Sequence, residues 1–424
     1  MSDRLTPAAF VLLALGLLAL TMLWEVPMML WDHLDLVPIY AKWHDGQLDP
    51  STLLAIHGGH FHALAYAVLL ATTSLSHGHP WLDCLASWLL LVVYAGVVFS
   101  FVRETFGPEQ RALALLAVFF ALYPGHLANL QWGWQVAVFL CLAGVALAIR
   151  LLTLATLSWA HIAAALIVAT AALLSFATAG AVIPTAIALI ALRSDLSRRA
   201  RIAFALPWLA LGALFALRSD APSTSSSGIA HLDAVPLYAL NFLGAGIARF
   251  ATDLAPWLAL AALIAALWAY IAVRDRRESL PWLGLCVFAV FAGVLIAVGR
   301  AVPFGETHAF VTRYVSFSSL FWLGWIGLIG MRLATGEHRI AKAGLALVAL
   351  LATANALHMI KKAYEVGTHA SAVEATIRTS YPNVDRAVLD EIYFDEPDVA
   401  MARLDTLHAL GFPPFDERAT NTAK

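Results

Sequence analysis

The sequence predicts an all-α, polytopic membrane protein of about eleven transmembrane helices, and three observations predict it. Of 424 residues, 61% are apolar and only 13% are charged, where a soluble domain carries about a quarter charged residues. The mean hydropathy of +0.78 agrees. The apolar residues also fall into long runs separated by short polar connections, the pattern of successive spans.

The same numbers exclude other classes. A net charge of −2 rules against nucleic acid as a partner, which needs a basic surface. Cys84, Cys141 and Cys286 lie inside apolar runs, so they form neither a disulfide framework nor a metal-ligand spacing. MSDRLTP before the first apolar run has no small-residue cleavage site and reads as the lead into a retained span. Arginine outnumbers lysine 21 to 5, as in GC-rich bacterial genomes.

Taken in order, the expected spans are 7–24, 83–102, 111–123, 134–150, 158–175, 180–192, 202–217, 256–273, 281–299, 314–331 and 341–357. Several are shorter than the roughly 20 residues that cross about 30 Å of hydrocarbon. Pro124 and the Gly180 region are where breaks are expected in the shorter ones. Residues 61–76 are ambiguous between a span and an interfacial helix, and the positive-inside rule arbitrates. With 61–76 interfacial and the N-terminus inside, the inner connections carry fourteen Lys and Arg and the outer ones five. If 61–76 crosses, thirteen of the fourteen move outside. The expected topology is therefore a multi-pass protein of the bacterial inner membrane, N-terminus inside and C-terminus outside.

Two domains follow. Residues 1–357 form the transmembrane domain, with an outer loop 24–82 carrying interfacial helices, and 358–424 form an extracytoplasmic helical tail. In the tail, VDRAVLDEIYF presents Val384, Val388 and Ile392 on one face. DVAMARLDTLHAL presents Met401, Leu404 and His408 likewise. Asp395-Glu396-Pro397 divides the two stretches into a helical hairpin. PSTSSSG, at 222–228, has the composition of a flexible linker.

Chemistry is expected in the polar stretch from Trp24 to His62, which holds five acids and five histidines. Asp32 and Asp35 are set among apolar and aromatic residues, where carboxylates tend to be functional or paired. Three apart, they suit a general base with a supporting acid, or the binding of a divalent metal. Helix capping is their plain structural use. His57, His60 and His62 follow. They suit hydrogen bonding to a phosphate or sugar, orienting the acids, or holding a metal with Asp32 or Asp35 as a further ligand; their plain structural use is as satisfied interfacial side chains. Arg300 and Arg313, with Tyr314 beside the latter, sit at outer ends of spans. Arginines there bind phosphate through charge-assisted hydrogen bonds or snorkel to lipid headgroups. Gln131 and Trp132, with Asn129, Trp134 and Gln135, make an amide-aromatic cluster suited to a sugar ring or to an interfacial belt.

A first span, a long outer loop with early acids, many further spans and an arginine at the outer face near the last ones resemble the C-type (GT-C) integral-membrane glycosyltransferases. The stretches that carry the likeness are WDHLDLVPIYAKWHDGQLDPSTLLAIHGGHFH, LQWGWQ, GRAVPFGETHAFVTRY and LDEIYFDEPDVAMARLDTLHALGF. They resemble most a group of bacterial polytopic membrane proteins of that kind, whose loop runs from adjacent acids to a His-Asn-Glu-His-Arg pattern. Here that pattern is His57-Gly58-Gly59-His60-Phe61, without its Glu and Arg, and the acids are spread to Asp32 and Asp35. The resemblance implies transfer of a sugar from a polyprenyl-phosphate donor to a glycan or lipid acceptor of the cell envelope. In it Asp32 or Asp35 acts at the acceptor or binds metal, while Arg313 and Arg300 hold the phosphate. The alternative reading is a multi-span transporter or lipid flippase, suggested by short, glycine-interrupted spans such as 180–192. The scarcity of ionisable residues inside the spans opposes it. A non-enzymatic scaffold using the histidines is the third.

Overall fold

A computed structural model describes residues 4–57, 60–218, 233–333, 339–394 and 396–416. The chain is helical almost throughout, and the long apolar runs fold as helices because lipid leaves backbone polar groups no partner outside their own segment. In chain order come α1 (Leu5–Leu23), α2 (Leu36–His44), and a two-residue ladder of β1 (Ile56–His57) with β2 (His60–Phe61). They lead to α3 (Ala63–Ser76), α4 (Trp81–Thr105), α5 (Arg111–Ala121), α6 (Leu127–Leu130) and α7 (Val136–Leu152). The middle of the chain forms α8 (Trp159–Leu173), α9 (Val182–Leu192), α10 (Arg198–Arg218), α11 (Ala234–Ala248) and α12 (Ala255–Val273). The last third forms α13 (Ser279–Phe304), α14 (Thr312–Leu333), α15 (Arg339–Ser380), α16 (Arg386–Ile392) and α17 (Pro397–Leu410).

Among the described residues, nine helical stretches are long and apolar enough to cross a membrane. They coincide with nine of the eleven expected spans. The other two, α8 and the stretch Ala177–Leu192 that ends in α9, are shorter apolar helices. The breaks fall where proline and glycine set them. A 3-10 turn at Pro124–His126 separates α5 from α6, and another at Ala177–Ala181 precedes α9. α3 has fourteen residues, about 21 Å of helix, which is short of the hydrocarbon thickness. The linker-like stretch 222–228 lies outside the described residues.

α14 is the axis of the bundle, and every residue from Tyr314 to Met331 is buried. Its Gly324 and Gly327 face α13, where a Cβ at either would run into Trp282. Small residues on the contact line let the two helices approach closely, as usual in membrane helix packing. α11 and α12 pack on the same side of α14, while α4, α7 and α8 pack in succession beyond it. The tail begins as an uninterrupted continuation of α15, so position 357/358 falls inside a helix of 42 residues. α16 and α17 then form the expected hairpin and pack together, and α17 also touches α2. The buried face of α17 is Ala400, Leu404 and Leu407; Met401 is only half-buried and His408 is exposed.

Candidate functional site

A cavity of about 460 Å³ opens where the first loop meets the ends of α13 and α14. Asp32 lines it, as do Arg300 and Arg313. The chain thus brings together an acid and two arginines that are more than 260 residues apart in sequence.

The acid side is built on a 3-10 turn, Trp31–Asp35. Trp31 enters it with φ at +56°, a left-handed backbone uncommon for a bulky residue and strained by roughly 1–3 kcal/mol. The turn sends the Trp31 ring and the Asp32 carboxylate to the cavity and the next side chain, His33, into the interior. His33 is fully buried, its Nε2 3.7 Å from Oδ2 of the buried Asp83. Burial pushes the His33 imidazole down to about 3. The other Asp83 oxygen, Oδ1, accepts from the Thr72 hydroxyl. Gly133 presses on this pair so closely that a Cβ there would meet both Asp83 and His33. Glu25, two residues beyond α1, is largely buried and pushed up to about 7 by desolvation.

Gly133 belongs to the turn that supplies the aromatic wall. Trp132, Trp134 and Gln135 all line the cavity. Trp132 meets Trp31 edge to face at 5.3 Å, and Trp134 sits 5.2 Å from the His62 ring, the offset and edge-on geometries that aromatic quadrupoles favour. Val26 N–H donates to the Gln131 carbonyl at 2.8 Å, which ties the first loop to this turn.

The basic side stands on helix ends. The Arg313 guanidinium lies over the Tyr314 ring at 5.7 Å, and that of Arg300 over Phe304 at 5.3 Å. Both contacts have cation–π geometry. Phe304 in turn stacks on His308 at 4.7 Å, and His308 Nδ1 is hydrogen-bonded to the Tyr238 hydroxyl at 2.9 Å. Desolvation, with Arg313 and Arg300 nearby, holds His308 down at about 4, so it is neutral at pH 7. Behind Arg313, Asn129 donates from Nδ2 to the Arg313 carbonyl at 3.3 Å and to Ser316 Oγ at 2.8 Å. His126 Nδ1 contacts the same Ser316 hydroxyl at 2.9 Å.

The remaining sequence candidates fall elsewhere. Asp35, one 3-10 turn after Asp32, is not among the cavity-lining residues; its Oδ1 accepts from the Tyr393 hydroxyl of the tail. The neighbour of that tyrosine, Phe394, does line the cavity, with φ at +45°. The tail therefore forms part of the cavity wall. Tyr314 is buried against Phe242 and His308 beneath the cavity. Gln131 is buried, and its side-chain amide has no hydrogen-bond partner among the described residues. His57 and His60 pair through their backbones in β1 and β2; Gly58, Gly59 and both histidine side chains lie outside the described set. No group of three or more His, Cys, Asp or Glu side chains that could hold a metal ion occurs among the described residues.

Sequence reasoning missed His33, Asp83, Glu25 and Phe394. Asp83 reads as the polar first turn of a span, and His33 as one more histidine of a polar loop. A signal was present in Asp83 itself, an acid two residues inside an otherwise apolar run, the kind of position that calls for a buried partner.

No family model matches the sequence, and no curated protein matches it. Among solved structures, the chain is similar to the crystal structure of ArnT from Cupriavidus metallidurans in the apo state. Identity is 14%, the match covers 97% of this chain and 89% of that one, and the TM-score is 0.46.

Proposed function

We propose that the protein is an integral-membrane glycosyltransferase of the bacterial inner membrane. It moves a sugar from a polyprenyl-phosphate donor to a glycan or lipid acceptor of the cell envelope on the outer face. The observation that carries this reading is the shared cavity, which one carboxylate, two arginines and three tryptophans line together.

The roles follow from charge and shape. Arg313 and Arg300 hold the donor phosphate, and their charge stabilises it as it leaves. Trp132 offers its ring to the sugar, with Trp134 packed behind the wall against His62 and Tyr66. The acceptor hydroxyl attacks the anomeric carbon, the bond from that carbon to the phosphate oxygen breaks, and its electron pair leaves with the phosphate. Asp32 accepts the hydroxyl proton as general base. Most of the rate then comes from positioning and from charge placed where charge develops. Asp35 supports from one turn away, through its bond to Tyr393.

The test is Asp32→Asn, expressed in a strain whose envelope glycans change when the gene is deleted. The variant is expected to leave those glycans as they are in the deletion strain while accumulating in the membrane at wild-type level. Restoration of wild-type glycans by Asp32→Asn would remove this assignment.

A further inference from the structure

A second, larger concavity lies on the flank of the bundle. It is a groove of about 730 Å³ between α12 and α15, floored by α14. Both flanking helices pack on α14, and each lines the groove with small residues set among larger ones. Ala261 and Ala265 of α12 stand with Leu258, and Ala341 and Gly344 of α15 with Val348. The floor is formed by Trp322 and Trp325. Ile264 on one rim and Leu347 on the other are 64% and 48% exposed, so the groove opens toward the lipid.

The groove has polarity. Arg339 lines one end, where the Arg332 guanidinium also lies over the Trp268 ring at 5.0 Å. Arg274, Arg276 and Arg277 follow in sequence where α12 ends, on the same side of the bundle. The far end is apolar, closed by Ile247 and Leu351. From Arg339 to Leu351 α15 rises about 18 Å, close to the roughly 15 Å of hydrocarbon in one leaflet. Arg313 stands about 28 Å from Arg332 along α14, so the cations of the cavity serve the opposite end of the membrane.

We propose that this groove is a binding site for an anionic phospholipid of the leaflet bordering Arg332 and Arg339. The phosphate sits between those two arginines, and one acyl chain runs along the alanine and glycine wall. Guanidinium groups favour phosphate, and basic pockets between membrane helices select anionic headgroups. A chain of one-leaflet length fits the groove. The prenyl chain of a donor whose phosphate lies on Arg313 would have to enter from the other end.

The test uses the full-length protein in nanodiscs of equal phosphatidylglycerol and phosphatidylcholine, with retained lipid read by native mass spectrometry. The wild type is expected to retain phosphatidylglycerol about tenfold over phosphatidylcholine, the preference falling as salt rises. R332Q/R339Q is expected to lose that preference. Gly344→Leu, whose Cβ meets Trp325 only at ordinary contact distance of 3.5 Å, fills the groove and loses both lipids. Equal retention of the two lipids by the wild type, or a preference that R332Q/R339Q leaves intact, overturns the proposal. So does displacement of phosphatidylglycerol by added polyprenyl phosphate, which would assign the groove to the prenyl chain. The salt series needs no variant, and none of these readouts depends on sugar transfer.

Discussion

The two walls of the cavity are made by different means. Arg300 and Arg313 stand at the ends of α13 and α14, two helices packed along most of their length. Asp32 stands on a five-residue 3-10 turn with a left-handed residue at its start. The basic wall is rigid because membrane helices are rigid. The acidic wall is held by what lies behind it, namely the buried His33 and Asp83 and the glycine pressed against them. Placing an acid on a short turn therefore requires a polar foundation in the interior, whereas placing an arginine on a span does not.

Breaking the acidic wall at Asp32 has the largest expected effect. On the proposed function, Asp32→Asn is expected to lower the rate of transfer about 10²- to 10⁴-fold with little change in donor KM. Arg313→Gln is expected to raise the donor KM as well as to lower kcat. Steady-state kinetics on purified protein separates the two walls, and an unchanged donor KM in Arg313→Gln would contradict the role given to that wall.

The foundation comes next. Gly133→Val adds atoms where Asp83 and His33 already stand, an overpacking that costs typically 1–3 kcal/mol. It is expected to lower thermal stability and transfer together, while an equivalent valine at the exposed Gly46, which faces open space but has a φ of +69°, lowers stability without lowering kcat. If Gly133→Val keeps full activity, the pair behind Asp32 does not position it.

Glu25 sharpens the comparison through pH. Burial raises its folded-state pKa from 4.5 to about 7, so the folded protein binds this proton more tightly than the unfolded chain. Its contribution is fully present below pH 4.5 and is lost as pH rises to about 7. Glu25→Gln removes that loss. Its melting temperature is expected to exceed that of the wild type at pH 8, by an amount equivalent to roughly 1–3 kcal/mol, and the gain to vanish near pH 4.5. A gain that persists at low pH would refute the buried-acid account.

The smallest effect is expected at the seam between the tail and the first loop. Tyr393→Phe removes the donor to Asp35, at about 0.5–1.5 kcal/mol for one partly exposed hydrogen bond. With Asp35→Asn, a double-mutant cycle should show non-additivity in stability. Additive effects would mean that the contact does not hold the tail in place.

Much of this fold is legible in the sequence because hydropathy encodes what lipid will accept. The nine long helices, the break at Pro124 and the turn before α9 follow from run length, proline and glycine alone. The site is legible in kind more than in detail. Asp32, Trp132, Arg300 and Arg313 stand out as polar or aromatic residues at the ends of spans, but nothing local places them around one cavity. Asp32 and Asp35 look equivalent in sequence, and a 3-10 turn even sets residues three apart on one face. What distinguishes them is Tyr393, more than 350 residues later. Asp83 and His33 are hidden for a related reason, since each is ordinary until the other is beside it.

α15 gives the molecule a fixed height. Forty-two residues of unbroken helix rise about 63 Å, roughly twice the thickness of the hydrocarbon they cross. On the way the helix passes the main chain of Trp24 at Gly367 and places Val366 in the cavity wall. The hairpin it carries is thus held over the cavity by a strut rather than hung on a tether. Its reach above the bilayer is set by residue count, so a deletion of one or two residues in the exposed half of α15 would both lower Phe394 and rotate it away from the opening.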